Sequence, residues 1–196
     1  MEKELRTVID KVASLAHELV VSKRGFSNDS LEDAIEASGI DVKYFVDKNI
    51  DGFLKWDAEQ QSPVIAVNAN QPETRRNFSM AHELGHLILD WKWLPYGNND
   101  NSRFDKSKVL NVTLYRGGTY SQTERKEETN VNEFAAAFLM PNFLLKELVD
   151  GIENNEISYS DALYELKKKS NVSMMSAGYR LKNYCEAQGI DITDEQ

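Results

Sequence analysis

The chain has 196 residues but only one cysteine, three histidines and no long hydrophobic run. The single thiol, Cys185, excludes an internal disulfide, and no histidine stands near it at a metal-binding spacing, so an ordinary thiol is expected. One of the longest apolar runs, Phe134–Met140, is far shorter than the ~20 residues that a membrane helix needs. The N-terminus lacks the apolar segment of a signal peptide. These absences predict a cytoplasmic protein that makes no membrane contact.

Basic residues are outnumbered, since 23 lysines and arginines stand against 32 aspartates and glutamates and give a net charge of -9. A surface that binds nucleic-acid phosphates needs a concentration of positive charge, so no direct nucleic acid binding is expected. The hydrophobic content of 41% and the charged content of 28% are typical of a folded soluble protein. The length fits one main domain.

Two of the three histidines fall in the pentad His82-Glu83-Leu84-Gly85-His86, which has the pattern H-E-x-x-H. In a helix, positions i and i+4 lie one turn apart on one face, so both imidazoles can reach a single metal ion. Glu83 lies about 100° further round the helix, where it can contact a water at the metal without binding the metal itself. The pattern therefore predicts two metal ligands and a general base.

Hydrophobic periodicity predicts a mostly helical chain with a small sheet. The predicted helices cover residues 3–22, 30–39, 73–89, 124–139, 142–149, 158–170 and 173–187. Two strand-like segments, 49–56 and 64–68, are predicted to pair as an antiparallel hairpin, with a third strand at 109–115. Residues 95–127 are the least regular stretch, which is either a loop that forms the rim of the functional site or a solvent-exposed loop without such a role. The expected fold class is α+β with an antiparallel sheet of about three strands.

A catalytic zinc takes three protein ligands, so the pentad needs one more. No histidine follows His86 in the chain, which excludes a third histidine downstream. The predicted helix at 124–139 offers carboxylates, and its alanines allow another helix to come close. Glu128 and Asn132 lie one turn apart on this helix, so Glu128 could bind the metal while Asn132 orients a ligand histidine. The other acidic residues of the helix are expected to form a solvated face.

Parts of the chain resemble the ImmA/IrrE metallopeptidases of bacteria and their mobile elements. The first part comprises residues 65–68 and 75–89 and contains the pentad. The second, residues 128–141, is similar to the family's E-x-x-A-N-x-F-A-A-x-L-L-M-P helix. Together these segments cover residues 64–141, and a weaker likeness covers residues 171–181.

The resemblance implies a thermolysin-like zincin fold and a metal held by the two pentad histidines and a glutamate. The family often has acids two and four residues before the asparagine. Here Asn130 stands in place of the nearer acid, which points to Glu128 as the ligand. Glu127 or Glu124 would serve instead if the helix phase were shifted.

The resemblance further implies a zinc-dependent, gluzincin-like endopeptidase in which Glu83 acts as general base on a metal-activated water. Manganese or iron would also suit two histidines and a carboxylate. Family members commonly cleave a helix-turn-helix repressor in stress response or mobile-element induction, and such a repressor is the expected partner. A less selective peptidase stays open as an alternative. So does a toxin–antitoxin or regulatory binding module with a structural metal.

Residues 1–150 are then expected to form the metallopeptidase domain, with residues 151–196 as a helical extension packed on or beside it. Some side chains are candidates by chemical type alone. An oxyanion-stabilising donor is sought among Tyr115, Tyr120, Tyr179 and Arg180, although core packing is the more common use of a tyrosine. His17 stands alone in a charged helix, where a structural or solvent-facing role is expected.

Overall fold

The structure is a computed structural model, and it describes residues 3–21, 31–99, 113–115 and 122–190. In these ranges the helices and strands follow one another as α1 (Lys3–Val20), α2 (Leu31–Ala37), β1 (Asp41–Phe45), β2 (Ile50–Asp57), β3 (Ser62–Asn68), α3 (Glu73–Leu89), β4 (Thr113–Tyr115), α4 (Gln122–Leu139), α5 (Asn142–Glu153), α6 (Tyr159–Ser170) and α7 (Met174–Gln188). The predicted α+β class, mostly helical with a small sheet, is confirmed. Among the described helices, none combines the length and the apolar character needed to cross a membrane.

The described strands form one four-stranded sheet in the order β1-β3-β2-β4. β2 pairs antiparallel with β3, with Leu54 opposite Ile65, so the predicted hairpin is confirmed. The prediction that the sheet is antiparallel is wrong for one pairing, because β1 lies parallel to β3 with Val42 opposite Ile65. Periodicity does not predict β1, since Val42 is the one buried residue of its five and no alternation results. The start of the predicted third strand, residues 109–112, lies outside the described residues.

Serine side chains begin the last two helices, as the sequence predicts. Ser158 accepts a hydrogen bond of 3.1 Å from the backbone N–H of Asp161 at the start of α6. Ser173 accepts one of 3.1 Å from the backbone N–H of Ser176 at the start of α7. Each hydroxyl satisfies one of the free N–H groups of the first turn. Ser30, the predicted cap of α2, lies outside the described residues.

Gly151 is predicted to stop α5 but lies inside it, since the helix continues to Glu153. A Cβ on Gly151 would lie 3.2 Å from Cγ1 of Ile157, so the glycine allows the following loop to pack on the helix. Because α5 runs through residue 150, the predicted boundary between residues 1–150 and 151–196 falls within a helix. That division into a domain and an extension stays a prediction.

α3 is the central helix of the fold. One side of it packs on β2 and β3, and another packs on α4. α1 packs on α4, and the buried residues of α1 include Ile9, Ala13 and Ala16. Almost every residue of α3 from Asn77 to Ile88 is buried. The pentad therefore lies in the interior, where polar side chains need partners.

Candidate metal centre

α3 presents the two motif histidines side by side in the interior. His82 is fully buried, and His86 is 2% exposed. Their Nε2 atoms lie 3.1 Å apart, in agreement with the one-turn spacing of the pentad. The two rings meet edge to face, with centroids 4.8 Å apart. Both Nε2 atoms are thus directed to one place.

α4 contributes the third side of the site. Oε2 of Glu128 lies 3.4 Å from Nε2 of His82, and Oε1 lies 3.4 Å from Nε2 of His86. Within the described ranges, these three residues form the group of histidine and acidic side chains whose spacing could hold a metal ion. Glu127, the alternative for a shifted helix phase, is exposed. The structure therefore brings Glu128 to the histidines and leaves Glu127 at the surface.

The Nδ1 atoms of both rings are held by oxygen acceptors. Nδ1 of His82 donates to Oδ1 of Asn132 over 3.0 Å. Nδ1 of His86 donates to Oδ2 of Asp90 over 2.6 Å. A proton fixed on Nδ1 leaves the lone pair of Nε2 free to bind a cation. Asn132 lies where the sequence predicts a residue that orients a histidine. Asp90 is not among the residues predicted from the sequence, although its i,i+4 spacing from His86 could have indicated the contact.

The three side chains suit a site for a divalent metal ion. The Nε2 atoms of the two histidines lie 3.1 Å apart, and each lies 3.4 Å from a different oxygen of Glu128. One ligand atom can thus be taken from each residue so that all three lie within 4.8 Å of one another. Two imidazoles and one carboxylate also leave a fourth position for water, as catalytic zinc sites do. The donor set fits the ion that the sequence implies.

The charges of the site are strongly coupled. Burial works to raise the pKa of Glu128, but hydrogen bonds and charge attraction from His82 and His86 outweigh it and lower that pKa to about 2. Burial works to lower the pKa of His86, but its bonds to Asp90 and Glu128 and the nearby negative charges raise it to about 9. Without a metal, the positive charge of protonated His86 therefore offsets the negative charge of Glu128, as a bound cation would.

Glu83 differs from the other acidic groups because it is buried without a partner. Its side chain is fully buried, and neither carboxylate oxygen has a hydrogen-bond partner in the described part of the chain. Burial raises its pKa to about 8, an effect that the charge of His86 opposes and the charge of Glu128 reinforces. Gly52 of β2 lies beside it, since a Cβ there would be 3.4 Å from Oε1 of Glu83. A carboxyl group in such surroundings can accept and release a proton near neutral pH.

Arg180, a candidate oxyanion donor by chemical type, is a structural residue here. It is 3% exposed, and its guanidinium donates to the carbonyl of Met140, to Asp10 and to Asn142 over 2.7–3.2 Å. These bonds join α7 to α1 and to the junction of α4 and α5. Tyr179, its neighbour, is exposed. The sequence gives no local sign of this role, because the acidic partner, Asp10, lies 170 residues earlier in the chain.

The remaining predicted residues have mixed outcomes. His17 is buried, and its Nδ1 donates to the carbonyl of Phe138 over 2.6 Å, which agrees with the predicted structural role. Tyr120 lies outside the described residues, as do the side chains of Tyr115 and Glu124. Most of the irregular stretch between α3 and α4 is likewise outside them.

A helix that carries H-E-x-x-H and faces a glutamate from a later helix has the side chains of a metallopeptidase centre. Residues 35–182 match the peptidase family described as the IrrE N-terminal-like domain. The chain belongs to this family, and the resemblance predicted from the sequence is confirmed. α1 precedes the matched segment.

Known relatives agree with the family assignment. Over 143 residues the chain is 31% identical to the radiation response metalloprotease IrrE of Deinococcus radiodurans, covering 73% of this chain and 37% of that protein. Over 118 residues it is 31% identical to the protein of the same name from Deinococcus deserti, covering 60% and 35%. The chain thus spans little more than a third of the length of these relatives. A solved Mycobacterium tuberculosis transcriptional regulator aligns with 91% of this chain and 51% of its own, at 17% identity and a TM-score of 0.49.

Proposed function

We propose that the protein is a metal-dependent endopeptidase whose metal is held by His82, His86 and Glu128, with Glu83 as the general base. The observation that carries the proposal is the convergence of these three ligands beside a buried carboxylate that has no partner in the described chain. Zinc is the first choice of metal from the ligand set, and manganese or iron are the next. The ligand set is that of a gluzincin in a thermolysin-like fold.

Each side chain has a role that follows from its surroundings. A bound metal supplies Lewis-acid activation of a water and polarisation of the scissile carbonyl. Glu83 would take a proton from the attacking water and return it to the leaving amine. Burial raises its pKa to about 8 without a metal, and a bound cation would lower that pKa and favour the carboxylate that accepts the proton. Asn132 holds His82 with its Nε2 directed into the site.

We propose that the substrate is a helix-turn-helix repressor whose cleavage relieves repression during stress or mobile-element induction. The support is the resemblance to the ImmA/IrrE metallopeptidases together with the charge of the chain. A net charge of -9 favours encounter with a basic partner such as a DNA-binding protein. Cleavage of such a repressor would occur in the cytoplasm.

The test compares the protein with the Glu83→Gln variant on a helix-turn-helix repressor encoded beside its gene. With zinc present, the wild type is expected to cut the repressor at one site. Glu83→Gln is expected to keep its zinc and to lose cleavage, because the amide cannot take a proton. Glu127→Gln, an exposed change of the same chemistry, is the matched control and should cut normally. Cleavage by Glu83→Gln at the wild-type rate would overturn the mechanism.

Two other results would replace the proposal. Cutting of many unrelated sequences in a peptide library would indicate a less selective peptidase. Tight binding of the repressor without cleavage, unchanged in Glu83→Gln, would indicate a toxin–antitoxin or regulatory binding module in which the metal is structural. Manganese or iron in place of zinc in the purified protein would change the metal assignment alone.

A further inference from the structure

Asp90 lies at the C-terminal end of α3, one turn after His86. Its Oδ2 accepts the hydrogen bond of 2.6 Å from Nδ1 of His86, and its backbone N–H donates to the His86 carbonyl. Asp90 therefore contacts His86 through both its side chain and its backbone. The H-E-x-x-H pattern ends at His86 and gives Asp90 no role.

An acidic side chain is electrostatically unfavourable at this end of a helix. The free carbonyls of the last turn carry partial negative charge and favour cations, and glycine or asparagine commonly follows a helix end. The carboxylate of Asp90 is nevertheless 37% exposed and makes its bond inward, to the buried ring of His86. Trp91 and Trp93, both buried, hold the chain that follows. α3 before Asp90 and the buried tryptophans after it thus fix the backbone at this residue. The hydrogen bond to the His86 ring offsets the unfavourable position of a carboxylate at the C-terminal end of a helix.

The two ligand rings are held in different ways. Asn132 reaches His82 from another helix and offers a neutral amide oxygen at 3.0 Å. Asp90 reaches His86 from the same helix and offers a carboxylate oxygen at 2.6 Å. A hydrogen bond to a carboxylate is shorter and stronger than one to an amide, and it increases the basicity of the opposite ring nitrogen.

We propose that Asp90 is a positioning residue for the metal centre. It holds His86 in the tautomer whose Nε2 faces His82 and Glu128, and it strengthens the binding of the metal by His86. This inference rests on the metal site proposed above. It adds a sixth residue to the site, after His82, Glu83, His86, Glu128 and Asn132.

The first test reads the Nδ1 protons directly. In the zinc-loaded protein with isotope-labelled histidine, NMR is expected to show three exchange-protected Nδ1–H signals, because His17, His82 and His86 each donate to an oxygen. Asp90→Ala should remove the His86 signal and leave the other two. The His17 signal is an internal reference for the fold. Persistence of a protected His86 signal in Asp90→Ala would overturn the inference.

The second test measures zinc affinity by competition with a coloured chelator. Loss of such an outer partner is expected to weaken metal affinity about 10–100-fold in Asp90→Ala. Asp90→Asn should recover part of this, because its amide oxygen still accepts from Nδ1. Asp150→Asn is the matched control, since Asp150 makes an i,i+4 bond of 2.5 Å with Lys146 on α5, away from the site.

The outcomes separate this inference from the proposed function. If the wild type binds zinc and Asp90→Ala binds it equally well, the role of Asp90 is wrong and the metal site stands. If the wild type binds neither zinc nor manganese nor iron, both are overturned. If Asp90→Ala alone is weakened and Asp90→Asn lies between it and the wild type, the positioning role is supported.

Discussion

Gly85 lies directly against the ring of Phe134, at the contact between α3 and α4. A Cβ on Gly85 would be 2.9 Å from Cδ1 of Phe134 and 3.0 Å from Cγ1 of Val131, closer than real Cβ atoms normally come. The fourth residue of the pentad is thus the point at which α4 approaches. The distance from the histidines to Glu128 depends on this contact.

Gly85→Ala is expected to weaken zinc binding and to destabilise the protein. Alanine gains about 1 kcal/mol of helix propensity, whereas overpacking a core contact costs about 1–3 kcal/mol, so at a contact as close as 2.9 Å the loss outweighs the gain. Moving α4 outward also moves Glu128 away from the histidines. Urea unfolding and zinc titration measure the two effects.

Gly178 offers the matched control on α7. A Cβ there would meet no atom within 4 Å, so Gly178→Ala should stabilise the protein by about 0.5–1 kcal/mol and leave zinc affinity unchanged. Equal stabilisation by Gly85→Ala and Gly178→Ala would show that the contact with Phe134 leaves room for a side chain at position 85.

Glu128→Gln is expected to remove most of the stabilisation that zinc gives. A ligand that binds the folded state alone, present at 100 times its dissociation constant, stabilises by about 2.7 kcal/mol. The rise in melting temperature on adding zinc, and its loss on adding a chelator, should be clear in the wild type. Glu127→Gln, exposed and one residue earlier, should behave as the wild type does. The reverse result would assign the ligand to Glu127.

Arg180→Met is expected to destabilise the fold by about 3–5 kcal/mol, because it leaves the partners of a buried guanidinium uncompensated. The partners are the carboxylate of Asp10, at 3.0 Å, and the carbonyl of Met140, at 3.2 Å. Lys182→Met is the control: its exposed ion pair with Glu186 spans 3.9 Å and should be worth less than about 1 kcal/mol. Similar unfolding midpoints for the two variants would contradict the structural role of Arg180.

His17 is expected to make the protein less stable in acid. Burial lowers the pKa of His17 below its ordinary value of 6.5, and the bond to the Phe138 carbonyl opposes this only in part. The unfolded chain therefore takes up this proton first as the pH falls below about 6.5, which favours unfolding. Unfolding free energies from pH 7.5 to 5 should fall more steeply for the wild type than for His17→Gln. Parallel curves would exclude this contribution.

Local patterns were sufficient to predict much of the fold and the core of the site. The hairpin, the helices and the serine caps follow from periodicity and turn chemistry, and the H-E-x-x-H spacing fixes which face His82 and His86 share. Parallel pairing of β1 depends instead on contacts with β3, which lie far along the chain. The role of Arg180 is likewise set by Asp10, and such distant partners leave no local signal. Gly151 gave a false stop signal because it lies inside α5, where Ile157 packs against it.

Because α1 lies outside the segment that matches the family, a fragment trimmed to residues 35–182 would omit it. The carboxylate of Glu133 would lose its two-bond contact with Arg6, and the carbonyl of Phe138 would lose His17. Both partners lie on α4, the helix that also carries Glu128. A fragment that keeps these two contacts on α4 therefore has to begin ahead of Lys3.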